Sequence, residues 1–191
     1  MRGVQQSMSA DQMLENPYDK LRGRLWPKGP RMDVWAVLDG ARDPQIWWMV
    51  EKSSLLHSSL YAGALSPQLE RAAPYLVQLE CDDPQTVRVL NRGWGSSWGI
   101  LLRTGMSMQR LRDHLRRLLL VRAPGGKQLV FRYYDPRVMR EFLPSCSPSQ
   151  LTEVFGSIER IITEDRNASR MLEFRLDGTG IALESKGVDL G

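Results

Sequence analysis

At 191 residues and 21.8 kDa the chain suits one domain, and its 42% hydrophobic and 25% charged content excludes wholesale disorder. Its apolar runs, such as 46–50 and 118–121, fall far short of the ~18–20 residues a bilayer demands. The formal charge is +4, carried by 21 arginines and only five lysines against 22 acids. The first thirteen residues, MRGVQQSMSADQM, hold no apolar core of the secretory-signal kind. Two cysteines, Cys81 and Cys146, are too few for a disulfide scaffold or a zinc cluster, so a reducing cytoplasm is the expected compartment.

Residues 1–30 mix polar groups with Pro17, Pro27 and Pro30, and read as a flexible arm with a helical turn near residues 11–14. Residues 32–38 (MDVWAVL) read as a buried strand. Asp43-Pro44 has the form of an N-cap followed by proline at the first helical position, and predicts a helix to about residue 53. A short turn is expected within 54–63. Residues 75–80 predict a second strand. Asp83-Pro84 opens a helix to residue 92 with Val87 and Leu90 inward, and a turn at 93–97 leads to a third strand at 98–103. Ser107 then caps the clearest helix, residues 108–121, whose Leu111, Leu115, Leu118 and Leu119 recur at helical spacing. The PGG turn at 124–126 precedes an aromatic strand at 128–134. Asp135-Pro136 opens a helix to about residue 142, and a proline-serine loop over 144–149 leads into a helix at 150–155 stopped by Gly156. Strands are expected at 158–163, 171–176 and 181–184, with 186–191 as a flexible tail. Strands alternating with helices and then a strand-only end predict one α/β domain over 31–185, with a mixed sheet flanked by helices.

Catalytic chemistry is hard to assemble from these residues. Only His57 and His114 offer imidazole bases, and no G-x-S-x-G elbow accompanies either. Both read as structural or solvent-facing, and Cys81 reads as a lone buried thiol. Gly125-Gly126-Lys127 follows a helix and precedes a strand, the reverse of a phosphate-binding loop. No clustered His, Cys or carboxylate spacing points to a metal, and no cofactor is implied. Asp39 and Asp135 end predicted strands, with Arg42 and Arg137 following at similar offsets. Helix capping and ion pairing with Arg132 or Arg137 explain such aspartates; partner binding and, last, catalysis are the alternatives.

Charge is unevenly placed. Residues 103–140 contain ten basic and two acidic groups, a net +8, while the rest of the chain carries −4. Such asymmetry fits an acidic partner, and it equally fits an arginine-rich genomic composition. The basic helix at 108–121 has three readings: a leucine stripe packed on the sheet with solvated arginines, a surface for acidic protein, or a phosphate binder. Adjacent helical residues point about 100° apart, so Trp47 and Trp48 cannot both be buried on a narrow face. At least one is expected at a surface, where aromatics and arginine dominate binding, or in a groove between helix and sheet.

Five strings occur in order: VWAVLDGAR at 34–42, APYLV at 73–77, SWGI at 97–100, LRRLL at 115–119 and FRYYDPRV at 131–138. Together they resemble the type VI secretion effector chaperone or adaptor family, long filed as a domain of unknown function. The resemblance runs from about residue 34 to 160, and the block at 131–138 is its most specific part. It implies a bacterial cytoplasmic protein without catalysis, which binds a secreted toxic effector and helps load it onto the VgrG spike. Many members carry a long further helical lobe, whereas this chain follows Phe155 with three short strands.

The leading expectation is therefore a non-enzymatic adaptor-chaperone with protein partners, no membrane and no cofactor. Trp47, Trp48, Arg110, Arg116, Arg132, Asp135 and Arg137 are its candidate contacts. The alternatives are a small nucleic-acid-binding module using the 103–140 window, and an enzyme acting at Asp39 and Asp135.

Overall fold

A computed structural model describes residues 16–28, 32–122, 125–126 and 128–190. The elements run α1 (Pro17–Leu25), β1 (Asp33–Asp39), α2 (Pro44–Glu51), β2 (His57–Ser59), α3 (Pro67–Arg71), β3 (Pro74–Leu79), α4 (Pro84–Gly93) and β4 (Gly99–Thr104). They continue with α5 (Met108–Leu118), β5 (Leu120–Arg122), β6 (Gln128–Val130), α6 (Pro136–Ser145), α7 (Pro148–Phe155), β7 (Ile158–Glu164), β8 (Arg170–Leu176) and β9 (Leu183–Asp189).

Helix starts follow one local rule. All the described helices but α5 begin with proline, where the missing N–H has no intrahelical partner to lose. Asn16, Asp43, Ser66, Asp83, Asp135 and Ser147 precede them, each accepting a backbone N–H of the first turn through its side chain. Ser107, expected to cap α5 in the same way, makes no side-chain cap bond.

The main sheet has the order β2-β3-β1-β4-β7-β8-β9. Every pairing is antiparallel, which corrects the expected mixed sheet. β3 and β4 do run parallel and are joined through α4, but β1 lies between them and opposes both. A helix between two strands therefore did not make them neighbours.

The sheet is covered on both faces, so β1 reads as a continuous apolar run and not as an alternating one. Val34, Ala36 and Leu38 enter a core shared with α1, α2 and α4; Trp35 and Val37 enter a second core shared with α5, α6 and α7. Gly99 permits the close approach of β4 to β1, since a Cβ there would lie 2.0 Å from the Val37 carbonyl oxygen.

Other expectations are corrected at the ends of elements. The arm expected over 1–30 is, from Pro17, a packed helix whose Tyr18, Leu21 and Leu25 are buried; residues 1–15 lie outside the described residues. Of the tail expected at 186–191, residues 186–189 are the end of β9, which pairs with β8 along its length, Leu190 is buried, and residue 191 lies outside the described residues. The turn expected in 54–63 holds the edge strand β2. α5 stops at Leu118 and the chain turns into a small separate hairpin, β5–β6, so 119–121 is not helix and 131–134 is not strand. The intended turn at 124–126 is described only at Gly125 and Gly126, both with positive φ. The proline-serine loop shrinks because Ser147 and Gln150 form a capping box that starts α7 at Pro148.

Candidate interaction surface

The FRYYDPRV block forms a joint between the end of β1 and the start of α6. Asp39 closes β1 and is buried; one carboxylate oxygen accepts from the Ala41 N–H at 3.2 Å and the other from the Arg132 guanidinium. The next residue, Gly40, donates to Ala73 O at 3.0 Å, and a Cβ there would meet that oxygen at 2.5 Å. Tyr133 is buried and donates to Leu115 O on α5 at 3.1 Å. Burial pushes the Tyr133 and Tyr134 phenols well above the usual tyrosine value.

Asp135 caps α6 through the Arg137 N–H at 2.9 Å and is gripped by the Arg137 guanidinium at 2.9 and 2.6 Å. Burial alone would raise its carboxyl; the Arg137 side chain and N–H outweigh that and hold it below the ordinary value. Both aspartates thus have their oxygens engaged by donors, as the capping and ion-pair reading expected. Arg132, Tyr133, Asp135 and Arg137 make the bonds that fix the joint, and Phe131, Arg137 and Val138 reach its open side.

That open side continues into a groove. Leu118, Leu120, Val121, Phe131, Phe142 and Val154 line it together with Arg117, Gln150 and Glu153, enclosing about 320 Å³. A shallower depression over Val138 and Ser145 shares Phe131 and Phe142 with it. Above the groove stands the β5–β6 hairpin, where Leu120, Val121, Leu129 and Val130 are 40–54% exposed. Sequence reasoning placed these residues in a helix and an aromatic strand. The apolar run at 118–121 was the available signal, and its leucines fitted the helical stripe equally well.

Much of the basic window is engaged within the protein. Arg103 is buried against Glu159, Arg112 pairs with Asp113, and Arg140 donates to Glu164 O at 2.7 Å. Arg116 reaches across to the backbone oxygens of Ser59, Leu60 and Tyr61 at 3.0–3.2 Å, tying α5 to the edge of the sheet. Arg110 and Arg117 stay exposed on α5.

The candidate contacts do not converge. Trp47 and Trp48 sit on α2, on the face opposite α5; Trp48 is 55% exposed, while Trp47 packs on the core beneath the Arg71 guanidinium. Arg132, Asp135 and Arg137 cluster at the joint, Arg116 is engaged internally, and Arg110 stands apart on α5.

The histidines are structural. His114 is buried, bonds Val154 O at 2.9 Å, and lies against Gly156, whose φ of +52° and missing Cβ admit the ring. His57 bonds Leu55 O at 2.8 Å. Cys81, expected to be buried, is exposed, because it stands on the turn between β3 and α4. Glu164 was not singled out from sequence: it is buried and accepts from Gly95 N, Ser97 N and Ser97 Oγ at 2.6–3.1 Å, which fixes the loop before β4.

Among the described residues no group of three or more His, Cys, Asp or Glu could hold a metal ion, and no helix is long and apolar enough to cross a membrane. Neither the curated proteins nor the solved structures give a match. The sequence profile of a domain of unknown function, DUF4123, matches residues 34–153. That span runs from β1 to α7 and takes in the joint, the hairpin and the groove, so the chain belongs to the DUF4123 family.

Proposed function

We propose that this protein is a non-enzymatic adaptor-chaperone of bacterial type VI secretion, acting in the cytoplasm. It binds a secreted toxic effector and helps load it onto the VgrG spike. Membership of the DUF4123 family supports this reading, as does the ordered set of strings that resembles the effector adaptors. The observation that carries it is the exposed aliphatic hairpin over an apolar groove. Contiguous exposed apolar surface of this kind marks interaction sites.

The two aspartates at the joint support the same reading in another way. Asp39 and Asp135 are held by arginines and backbone N–H groups, an arrangement that builds a joint and leaves neither carboxylate poised as a base. Six arginines of the 103–140 window, Arg103, Arg112, Arg116, Arg132, Arg137 and Arg140, are bound to acids or backbone carbonyls, which leaves a nucleic-acid module Arg110 and Arg117 as its exposed cations among the described side chains.

The test is co-expression of the chain with candidate type VI effector and VgrG spike proteins from the same genome, followed by affinity capture. Retention of the toxin, or of both, is expected. Failure to retain either one sinks the proposal.

A further inference from the structure

The hairpin has an arrangement that solvent does not favour. Leu120 pairs directly with Val130, and Val121 with Leu129. Directly paired residues share a face of the ribbon and successive pairs alternate faces. Each face therefore carries one aliphatic pair, and all four side chains are substantially exposed. The hairpin joins no strand of the main sheet. A two-stranded ribbon alone is marginal in water, and burial of a third element against it supplies what it lacks.

Charge indicates what that element is. Arg117 lines the groove, and Arg110 stands seven residues earlier on the same exposed side of α5. Against these stands Glu153 in the groove wall. Nearby Arg132 and Arg137 are already neutralised by Asp39 and Asp135. Arg110 and Arg117 therefore leave one positive charge beyond what Glu153 offsets, while Glu141 beside the adjoining depression is paired with Arg166.

We propose that the β5–β6 hairpin and the groove beneath it form a docking site for an apolar protein segment that carries acidic residues. On the adaptor reading, from which its biological occupant follows, that segment belongs to the effector. Its aliphatic or aromatic side chains fill the space between Leu120, Val121, Phe131 and Phe142, and its acids meet Arg110 and Arg117.

The experiment selects a displayed random library of peptides about 16 residues long against the full chain, then measures the winners by fluorescence anisotropy. Enrichment of peptides rich in Leu, Ile, Phe or Trp together with Asp or Glu is expected. Binding should fall about tenfold or more in the L120S/L129S variant, whose changes lie on exposed positions. It should fall roughly threefold in R117E, and a peptide with its acids changed to lysine should recover on R117E. Enrichment of basic peptides, no enrichment, or equal binding to both variants overturns the site. Preferential binding to vesicles containing roughly 30% anionic phospholipid, lost in L120S/L129S, overturns it in favour of a membrane surface. Concentration-dependent dimerisation lost in the same variant overturns it in favour of a second copy. Effector capture that survives L120S/L129S removes this site and leaves the adaptor reading standing; peptide docking without effector capture does the reverse.

Discussion

Arg132 covers the carboxylate of Asp39, which is 1% exposed where β1 ends. The pair links β1 to the segment that launches α6, across 93 residues of sequence. Removing one partner of such a pair leaves a buried charge uncompensated, at a cost of about 3–5 kcal/mol in fully buried cases. Arg132 is itself half-exposed, so water softens the loss. Arg132→Ala is expected to destabilise by about 2 kcal/mol, read from the denaturant midpoint. Asp39→Asn on that background should recover part of the loss, because the amide keeps an acceptor for the Ala41 N–H without the stranded charge. No recovery in the double variant would show that the joint does not depend on this charge.

The pH dependence has two limbs. Asp135 titrates below its ordinary value in the folded protein. It therefore contributes stability above the unfolded carboxyl range near 4, and that contribution is lost as pH falls through the folded value. Arg137→Ala removes the main cause and should move the acid-unfolding midpoint upward. Tyr18 and Tyr75 are pushed up to about 12, chiefly by burial. Their neutral form is kept in the fold, so stability is intact below pH about 10 and falls between about 10 and 12 as the unfolded phenols ionise. A phenolate absorbance titration should show these tyrosines ionising late and together with loss of structure. Ionisation near 10 in the folded protein would contradict their burial.

The last strand should be integral. Val188 and Leu190 are each 9% exposed, and the Leu190 N–H donates to Ser169 O at 2.7 Å. Ending the chain after Ser185 removes both side chains from the core and uncovers much of β8. A loss of about 3 kcal/mol or more is expected from the apolar burial alone. Thermal unfolding at low concentration, with light scattering to detect pairing of the freed edge, reads both effects. A truncated chain of unchanged stability would restore the view of this segment as a tail.

The tryptophans separate folding from contact. Trp35 is 1% exposed between the sheet and α5, while Trp48 is 55% exposed on α2. Trp35→Ala should cost about 3–5 kcal/mol, and Trp48→Ala should stay within about 0.5 kcal/mol of the parent. If α2 meets a partner, Trp48→Ala weakens effector capture while the unfolding midpoint stays put. Unchanged capture would strike Trp48 from the contacts.

Much of the scaffold was legible because its signals are local. Asp43-Pro44, Asp83-Pro84 and Asp135-Pro136 start helices by short-range chemistry, and the apolar run through Trp35 marks a strand covered on both faces. Strand order was not local. β1 inserts between β3 and β4, and only long-range packing decides that, so alternation of strand and helix suggested parallel neighbours that do not exist. The site was obscured for a related reason. Leu118 and Leu119 fit the helical stripe of α5, and the end of that helix is set by the return of the Phe131 N–H to Leu119 O at 2.8 Å. Arg132 and Arg137 were both offered as partners for the aspartates, but the 93-residue separation concealed that Arg132 takes Asp39 while Arg137 takes Asp135.

Arg116 gives the sharpest contrast between a basic residue read as contact and one that builds. Its guanidinium donates to three consecutive backbone oxygens, at Ser59, Leu60 and Tyr61, which no sequence spacing announces. Those residues end and follow β2, the short edge strand held to β3 through only three paired positions. A planar fork with several fixed donors suits this task, and an ammonium group does not reproduce it. Arg116→Ala should cost about 1.5–3 kcal/mol, with Arg116→Lys recovering less than half of it. Hydrogen exchange should quicken first at Leu60 and Gln78, whose N–H groups bond Pro74 O and Leu56 O at the same edge. Peptide docking at the hairpin should be unchanged in Arg116→Lys, because this side chain serves the β2 edge and is not among the groove-lining residues. Weakened docking without any change at the β2 edge would return Arg116 to the contact surface.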